Sequence, residues 1–292
     1  MLFVMDIIPQ LIANSLIAGS IYAVLVLGFN LIYFTTKFID LGFGVLVALG
    51  GYTTFYLSKL LGAPLWLGII GGVLVSGLVS YLAYRFIYRP LRARKASSAV
   101  LLIASLGVLI LLQAVIAILF TSQFQTISGL LSRNPIFELW GATFTSVQIA
   151  ALFIAFALFG FLALLLKKTL FGKAVTAIGD DEEVSKIVGV NTESVIGRVF
   201  FIAGAIGGLG GILIGFDTGI EPIMGLAWLL PAIVAAIIGG IGNFYGGFAG
   251  AFMLAFIENF GIWKISGEWK LAIAFAVLIL FLIWRPQGLF KR

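Results

Sequence analysis

The chain contains no cysteine and no histidine, and these two absences remove several classes of site at once. Without cysteine there are no disulfides and no thiolate metal sites. Without histidine there are no imidazole metal sites, HExxH proteases or serine–histidine dyads. Charged residues are also scarce, at 10% of the total. We therefore expect no metal site, no cofactor and no enzyme active site of these kinds.

A nucleotide-binding motif is missing as well. The Walker pattern GxxxxGK[ST] does not occur, because Gly172 and Lys173 are followed by Ala174. The sequence GGLGG at residues 207–211 lies inside an apolar run that no strand precedes, so helix packing explains its glycines better than phosphate binding. The chain is therefore expected to lack an ATPase of its own.

What is abundant is apolar sequence. Hydrophobic residues make up 62% of the chain and the mean hydropathy is +1.18, against about 45–50% apolar residues in soluble domains. The 292 residues have room for about eight to ten spans of ~20 residues each. We predict an all-α polytopic membrane protein with about nine spans, forming a single domain over residues 1–292.

Nine apolar runs define the predicted spans. The first is too long for the apolar part of a secretory signal and has no Lys or Arg before Lys37, so we interpret it as a retained span. The polar stretch Thr121–Ser146 is expected to be irregular, and the glycine-rich break Gly239–Gly247 leaves a re-entrant seventh span open. The runs are Ile7–Phe34, Leu41–Leu61, Pro64–Tyr88, Ala99–Phe120, Val147–Leu166, Val195–Phe216, Leu226–Ile238, one from the break to Trp263, and Leu271–Trp284.

The distribution of basic residues predicts the orientation. If the basic loop Arg89–Lys95 is cytoplasmic, fourteen of the 18 lysines and arginines fall inside, which is the bias that membrane proteins show. The N-terminus is then outside and the C-terminus inside, in the plasma or inner membrane. The four basic residues left outside are Lys59, Arg133, Lys264 and Lys270.

The longest polar interruption spans residues 167–197, here called the coupling segment. Phe171–Ile178 is predicted to form a short helix, with Ala174, Ala177 and Ile178 on one side and Gly179 at its end. Asp181 can cap a second short helix, Gly189 has the place of its C′ glycine, and Asn191 can cap the next span. The apolar side of the second helix is an i, i+3, i+4 set formed by Val184, Ile187 and Val188.

Two interpretations of the coupling segment remain open on periodicity alone. A capped amphipathic helix that offers an apolar stripe to the cytosol is typical of a docking surface for a partner. The same stripe could also rest on the membrane surface among lipid headgroups.

Polar residues within or next to spans are few, and each has a packing interpretation beside a functional one. A mid-membrane carboxylate costs at least ~2.5 kcal/mol, so Glu258 is expected to face a cavity or the bundle interior. Packing is slightly favoured for it, and helix-to-helix hydrogen bonding is favoured for Asn14 and Gln113. The candidate pathway residues are Asn14, Asp40, Gln113, Asn243 and Glu258.

Five motifs, in order along nearly the whole chain, resemble the permease subunit of the branched-chain amino acid ABC importer family. They are NSLIAGSIYA from Asn14, YRPLR from Tyr88, the pattern Gly172-Lys173-Ala174 with Ala177, Asp181 and Gly189-Val190-Asn191, GGIGN from Gly239, and RPQGL from Arg285.

The resemblance implies a transport subunit rather than an enzyme, without a cofactor of its own. Its implied partners are a homologous second permease, two cytosolic ATPases that bind the coupling segment, and an extracytoplasmic binding protein. The resemblance implies no nucleic-acid partner. The implied ATPase-coupling residues are Gly172, Lys173, Ala174, Ala177, Asp181, Val184, Ile187, Val188, Gly189 and Asn191.

Two departures from the family pattern stand out. The family often has a histidine near the start of the second span, where this chain has Phe43, and it usually has arginine where this chain has Thr176. The first leaves the solute open between branched-chain amino acids and similar small polar molecules. The alternative class is an ion-coupled secondary transporter or channel that uses Glu258 and Asp40 as coupling carboxylates; a membrane scaffold is a third.

Overall fold

The computed structural model describes residues 7–120, 122–130, 135–139, 141–285 and 288–290. Three residues used for the orientation, Arg133, Lys291 and Arg292, lie outside this part, as do Pro286 and Gln287 of the last motif. The described helices are α1 Ile8–Thr36, α2 Phe43–Phe55, α3 Leu65–Ala83, α4 Arg89–Ala93, α5 Ser98–Phe120, α6 Ser146–Lys168, α7 Leu170–Asp180, α8 Glu182–Ile187, α9 Thr192–Asp217, α10 Met224–Gly239, α11 Phe244–Ile262 and α12 Lys270–Trp284.

Two of these helices continue through a π-helical turn. Tyr56–Leu60 extends α2, and Tyr84–Tyr88 joins α3 to α4, so the chain is helical without a gap from Leu65 to Ala93. The basic sequence YRPLR therefore does not form an open loop. It is the C-terminal end of a long helix, in which Pro90 comes just after the π-helical turn.

A small β-hairpin interrupts the helical fold, where the sequence predicted only irregular structure. Strands β1, Ile136–Leu139, and β2, Ala142–Thr145, pair antiparallel. Gln10 fastens the hairpin to α1, because its side-chain oxygen accepts a hydrogen bond from the Thr143 N–H at 2.8 Å. Thr145 then caps α6 with a capping box that Gln148 completes.

Helices α1 and α9 form the centre of the bundle. The most apolar 18-residue window of α1 is 94% buried, whereas that of the last helix is only 6% buried. Glycine makes the central contacts possible: a Cβ added to Gly50 of α2 would collide with the backbone of Gly208 in α9, and one on Gly211 would collide with Val47. The glycines of α9 thus serve helix packing, as the sequence indicated.

Helix length and hydropathy alone account for fewer spans than the nine predicted, and the count of nine stays a prediction. Six helical segments of the described chain are long and apolar enough to cross a membrane, or up to seven if the bent pair α10–α11 counts as one span. Helix α2 has 13 α-helical residues, which rise about 20 Å, less than the ~30 Å hydrocarbon core. The chain is thus an all-α polytopic membrane protein with one short hairpin.

The glycine-rich break bends α10 against α11 by 120°. Gly240 and Gly242 adopt φ values of +109° and +82°, which glycine tolerates best. Asn30 of α1 forms hydrogen bonds with the backbone that the break leaves without helical partners: its side chain accepts from the Gly242 N–H at 3.1 Å and donates to the Asn243 carbonyl at 3.2 Å. A break in a helix is stable when its buried backbone groups find such partners.

Candidate functional site

The coupling segment begins with α7, which packs flat against the bundle. The hydroxyl oxygen of Thr169 caps it by accepting from the Gly172 N–H at 2.9 Å. The predicted apolar side is only partly right, since Ile178 is buried but Ala174 and Ala177 are half-buried. The helix also ends at Asp180, one residue beyond Gly179. Its buried face is Gly172, Val175, Ile178 and Gly179.

The close approach of α7 to helices α6 and α1 explains which of its sides is buried. A Cβ on Gly172 would collide with the end of α6, and one on Gly179 would collide with the ring of Phe34 in α1. The two glycines therefore lie where helices nearly touch, and they draw Val175 and Ile178 into the core. Lys173, on the opposite side, is exposed.

Helix α8 has the caps that its sequence predicts. The Asp181 carboxylate accepts from the backbone N–H groups of Glu183 at 2.9 Å and Val184 at 3.0 Å. Gly189 adopts a φ of +89° just after the helix. Asn191 caps α9 by accepting from the Ser194 N–H at 3.1 Å. A helix of six residues is thus fixed at both ends by local hydrogen bonds.

Helix α8 and Val188, the residue just after it, point their aliphatic side chains away from the protein. Val184, Ile187 and Val188 are 54%, 82% and 71% exposed, whereas Ser185 on the other side is buried. Leu170, at the start of α7, is also exposed and was not anticipated from the sequence. The coupling segment therefore carries an apolar surface that no other described residue covers.

Two ion pairs hold the coupling segment against the basic end of the third helix. Arg92 pairs with Glu182 and Arg89 pairs with Glu193, while Lys186 lies 2.8 Å from Glu182. Together these groups line a cavity of about 350 Å³. The YRPLR motif indicated the orientation and the family resemblance, but this contact was not predicted from it. The available signal was the opposite charge of the basic run at residues 89–95 and the acidic run at residues 180–183.

Asp40 lies in the short segment that joins α1 to α2 and is buried. Its carboxylate accepts a hydrogen bond from the Tyr88 hydroxyl at 2.8 Å. Burial raises the pKa of the Asp40 carboxyl to about 6, although the Tyr88 hydroxyl and the backbone N–H groups of Gly42 and Phe43 act in the opposite direction. Asp40 faces the bundle interior rather than lipid.

Glu258 is fully buried in α11 and belongs to a small network. One carboxylate oxygen accepts from the Tyr22 hydroxyl at 2.8 Å and lies 3.8 Å from the Lys270 ammonium. The other oxygen has no hydrogen-bond partner within the described chain. The packing interpretation thus explains the oxygen that bonds to Tyr22 but not the oxygen that is buried without a partner.

A polar cavity of about 200 Å³, here called the Lys270 cavity, lies beside this network. Of the pathway candidates, Asn14 lines the cavity and Glu258 lies beside it, next to Lys270. The other three lie elsewhere. Asp40 and Asn243 are at the opposite end of α1, and Gln113 is on the peripheral helix α5. The polar residues that line the cavity are Asn14, Gln148, Asp217, Thr218, Asn259 and Lys270.

Comparisons with known proteins agree with this architecture. A model of the family described as "Branched-chain amino acid transport system / permease component" matches residues 11–282. The high-affinity branched-chain amino acid transport system permease protein BraD of Pseudomonas aeruginosa is 28% identical over 97% of this chain and 95% of its own length. LivH of Escherichia coli, which carries the same description, is 27% identical over the same shares.

A solved structure shows the same fold. One chain of PsaBC from Streptococcus pneumoniae, in complex with Fab, superposes with a TM-score of 0.53 over 94% of this chain and 91% of that one, at 14% identity. The curated relatives are transport permease proteins rather than enzymes. With a family match over most of its length and a bundle of membrane-spanning helices, the chain belongs to the family of permease components of branched-chain amino acid transport systems.

Proposed function

We propose that this chain is the membrane-spanning subunit of an ABC importer that carries branched-chain amino acids or a similar small polar solute. Separate cytosolic ATPases drive it, because the chain has no Walker motif. Relatives that match 97% of the chain are named as permease proteins of branched-chain amino acid systems. A homologous second permease and an extracytoplasmic binding protein complete the complex.

The exposed stripe on α8 is the observation that carries the ATPase part of this proposal. The Asp181 cap and the ion pair to Arg92 hold the helix in place, and Asn191 caps the helix that follows it. Isolated helices shorter than ~12–15 residues are marginal in water, so a six-residue helix needs such contacts to stay folded. Helix α8 therefore offers three aliphatic side chains on a fixed support, which suits insertion into a cleft of an ATPase.

We also propose that the chain crosses the membrane nine times, with its N-terminus outside and its C-terminus inside. Contacts of Gly19 with Phe252 and of Gly247 with Asn30 support an α11 that runs antiparallel to α1 over most of its length. The ring of Trp228, near the start of α10, lies 5.9 Å from that of Tyr22, beside Glu258 near the end of α11. Helices α10 and α11 therefore form two sides of a V, each of which crosses.

The ATPase proposal is tested with Val188→Asp in the complete complex. A carboxylate placed in an apolar cleft costs several kcal/mol, so ATPase co-purification should fall by roughly 100-fold or more. Membrane insertion should be unchanged, because Val188 is exposed. Ile265→Asp is the matched control, since Ile265 is 61% exposed between α11 and α12, away from the coupling segment. Wild-type ATPase binding by Val188→Asp would contradict the proposal.

The energy source is tested separately. Vesicles that contain this chain alone should accumulate no solute under any ion gradient. Gradient-driven accumulation would favour the ion-coupled alternative over the importer.

A further inference from the structure

The Lys270 cavity lies at the end of the bundle opposite the coupling segment. Asn191 caps the start of α9 beside the coupling segment, whereas Asp217 ends the helix at the cavity. The 26 residues of α9 rise about 39 Å, enough to cross a bilayer. In the orientation proposed above, the cavity therefore faces the side from which an importer receives its solute.

One side of the cavity carries a positive charge that is not fully satisfied. The Lys270 ammonium lies 3.8 Å from Glu258, beyond the usual 2.7–3.2 Å of a hydrogen bond. It also lies over the rings of Tyr22 at 5.6 Å and Trp228 at 5.9 Å, which favour a cation without accepting a directed hydrogen bond. Lys270 can therefore donate to an anionic group that enters the cavity.

The other charge in the cavity is negative. Asp217 accepts a hydrogen bond from the Gln148 side chain at 2.9 Å, which fixes the position of its carboxylate. A carboxylate has two oxygens and about four acceptor positions, so this bond leaves capacity for a cationic donor. One acid and one base line the cavity, so it offers a partner to each charge of a ligand that carries both.

The rest of the wall is partly aliphatic. Ile17, Ala18 and Ile21 of α1 line the cavity alongside Asn14. The volume of about 200 Å³ is below the ~300–1,000 Å³ of sites for drug-sized ligands, which suits a small solute.

We propose that the Lys270 cavity binds an aliphatic amino acid as its zwitterion. Lys270 binds the carboxylate, Asp217 binds the ammonium group, and the α1 residues Ile17, Ala18 and Ile21 contact the side chain. Glu258 and Tyr22 act as positioning residues that hold Lys270 in place. This inference rests on the proposed import function and assigns to it an entry site within this chain.

The test measures binding of radiolabelled leucine to the purified permease–ATPase complex without binding protein. Leucinamide, which lacks the carboxylate, and isocaproate, which lacks the ammonium group, serve as competitors. In the wild type, both should compete at least 10-fold more weakly than leucine. Lys270→Gln should make leucine and leucinamide equivalent, and Asp217→Asn should make leucine and isocaproate equivalent.

Two further variants separate recognition from folding. Lys270→Gln leaves Glu258 without its cation, so the double variant Lys270→Gln/Glu258→Gln, which is neutral at both positions, must show the same loss of discrimination. Lys264→Gln is the matched control: its ammonium lies over the exposed Trp263 ring at 5.7 Å, and it should discriminate as the wild type does.

The outcomes distinguish this inference from the function on which it rests. If the complete complex takes up leucine but all variants keep wild-type discrimination, or the complex binds no leucine, the cavity is not the site and the import function stands. If the complete wild-type complex takes up no branched-chain amino acid, the proposed function itself fails.

Discussion

The coupling segment and the Lys270 cavity lie at opposite ends of α9, and they are held by different kinds of contact. Caps that reach two or three residues along the chain fix the coupling segment, and its ion pairs join it to one neighbouring turn. The cavity instead combines side chains from six helices, and the hydrogen bond beside it joins Tyr22 to Glu258, 236 positions apart.

This difference separates two roles in one membrane protein. A segment built from local contacts can bind and release a soluble partner while the bundle stays intact. A site built from long-range contacts changes only when helices move relative to one another. Substitutions in the coupling segment should therefore affect partner binding at constant stability, whereas substitutions at the cavity should affect both stability and solute binding.

The largest stability effect is expected at the cavity. Lys270→Gln leaves the buried Glu258 without its cation and should destabilise the protein by about 3 kcal/mol, at the low end for a broken buried pair because the Lys270 side chain is 32% exposed. Thermal unfolding of the detergent-solubilised chain measures this. The double variant Lys270→Gln/Glu258→Gln should recover most of the loss. Equal melting temperatures for Lys270→Gln and the wild type would show that the pair contributes nothing.

Asp40 gives a pH-dependent effect of similar or smaller size at the coupling-segment end of α1. Its folded pKa of about 6 lies above its usual value of 3.8, so the wild type loses stability as pH rises from about 4 to 6 and stays at the lower level above that. Asp40→Asn has no charge to bury. Its stability relative to the wild type should increase by about 2–3 kcal/mol over this interval. If the stability difference between Asp40→Asn and the wild type does not change with pH, the Asp40 carboxylate is exposed to water rather than buried.

A smaller and local effect is expected from the ion pair of the coupling segment. Arg92→Gln removes the partner of Glu182 and should speed amide hydrogen exchange in α8 by about 5–10-fold, the equivalent of about 1 kcal/mol. Exchange in α1 and α9 should not change. Arg94→Gln is the control, since Arg94 is exposed and forms no ion pair with a described residue. Equal exchange rates in Arg92→Gln and Arg94→Gln would show that the ion pair between Arg92 and Glu182 does not stabilise α8.

The same contrast explains how much the sequence could predict. The caps at Asp181 and Asn191, the C′ glycine at 189 and the exposed stripe of α8 depend on residues within a few positions, and the structure has all of them. The prediction of which side of α7 is buried was partly wrong, because the ring of Phe34 in α1 determines how closely α7 can approach the bundle.

Features that depend on contacts between distant residues could not be predicted from the sequence. The break at Gly240–Asn243 was visible as a run of glycines, but the bend of 120° depends on Asn30, more than 200 positions earlier. Glu258 was expected to face an interior, but nothing in the chain order indicated that Tyr22 and Lys270 would be its neighbours. The hairpin was missed because two four-residue strands carry little periodicity.

The most direct test of the central claim, that α8 docks a cytosolic ATPase, uses the fact that the chain has no cysteine. Ile187→Cys, at the most exposed position of the α8 stripe, is labelled with a membrane-impermeant maleimide in inverted vesicles. Ile265→Cys serves as the reference for the opposite side. The account predicts rapid labelling of Ile187→Cys in the chain alone, protection when the ATPases are bound, and no labelling of Ile265→Cys from that side. Equal labelling of Ile187→Cys with and without bound ATPases would contradict it.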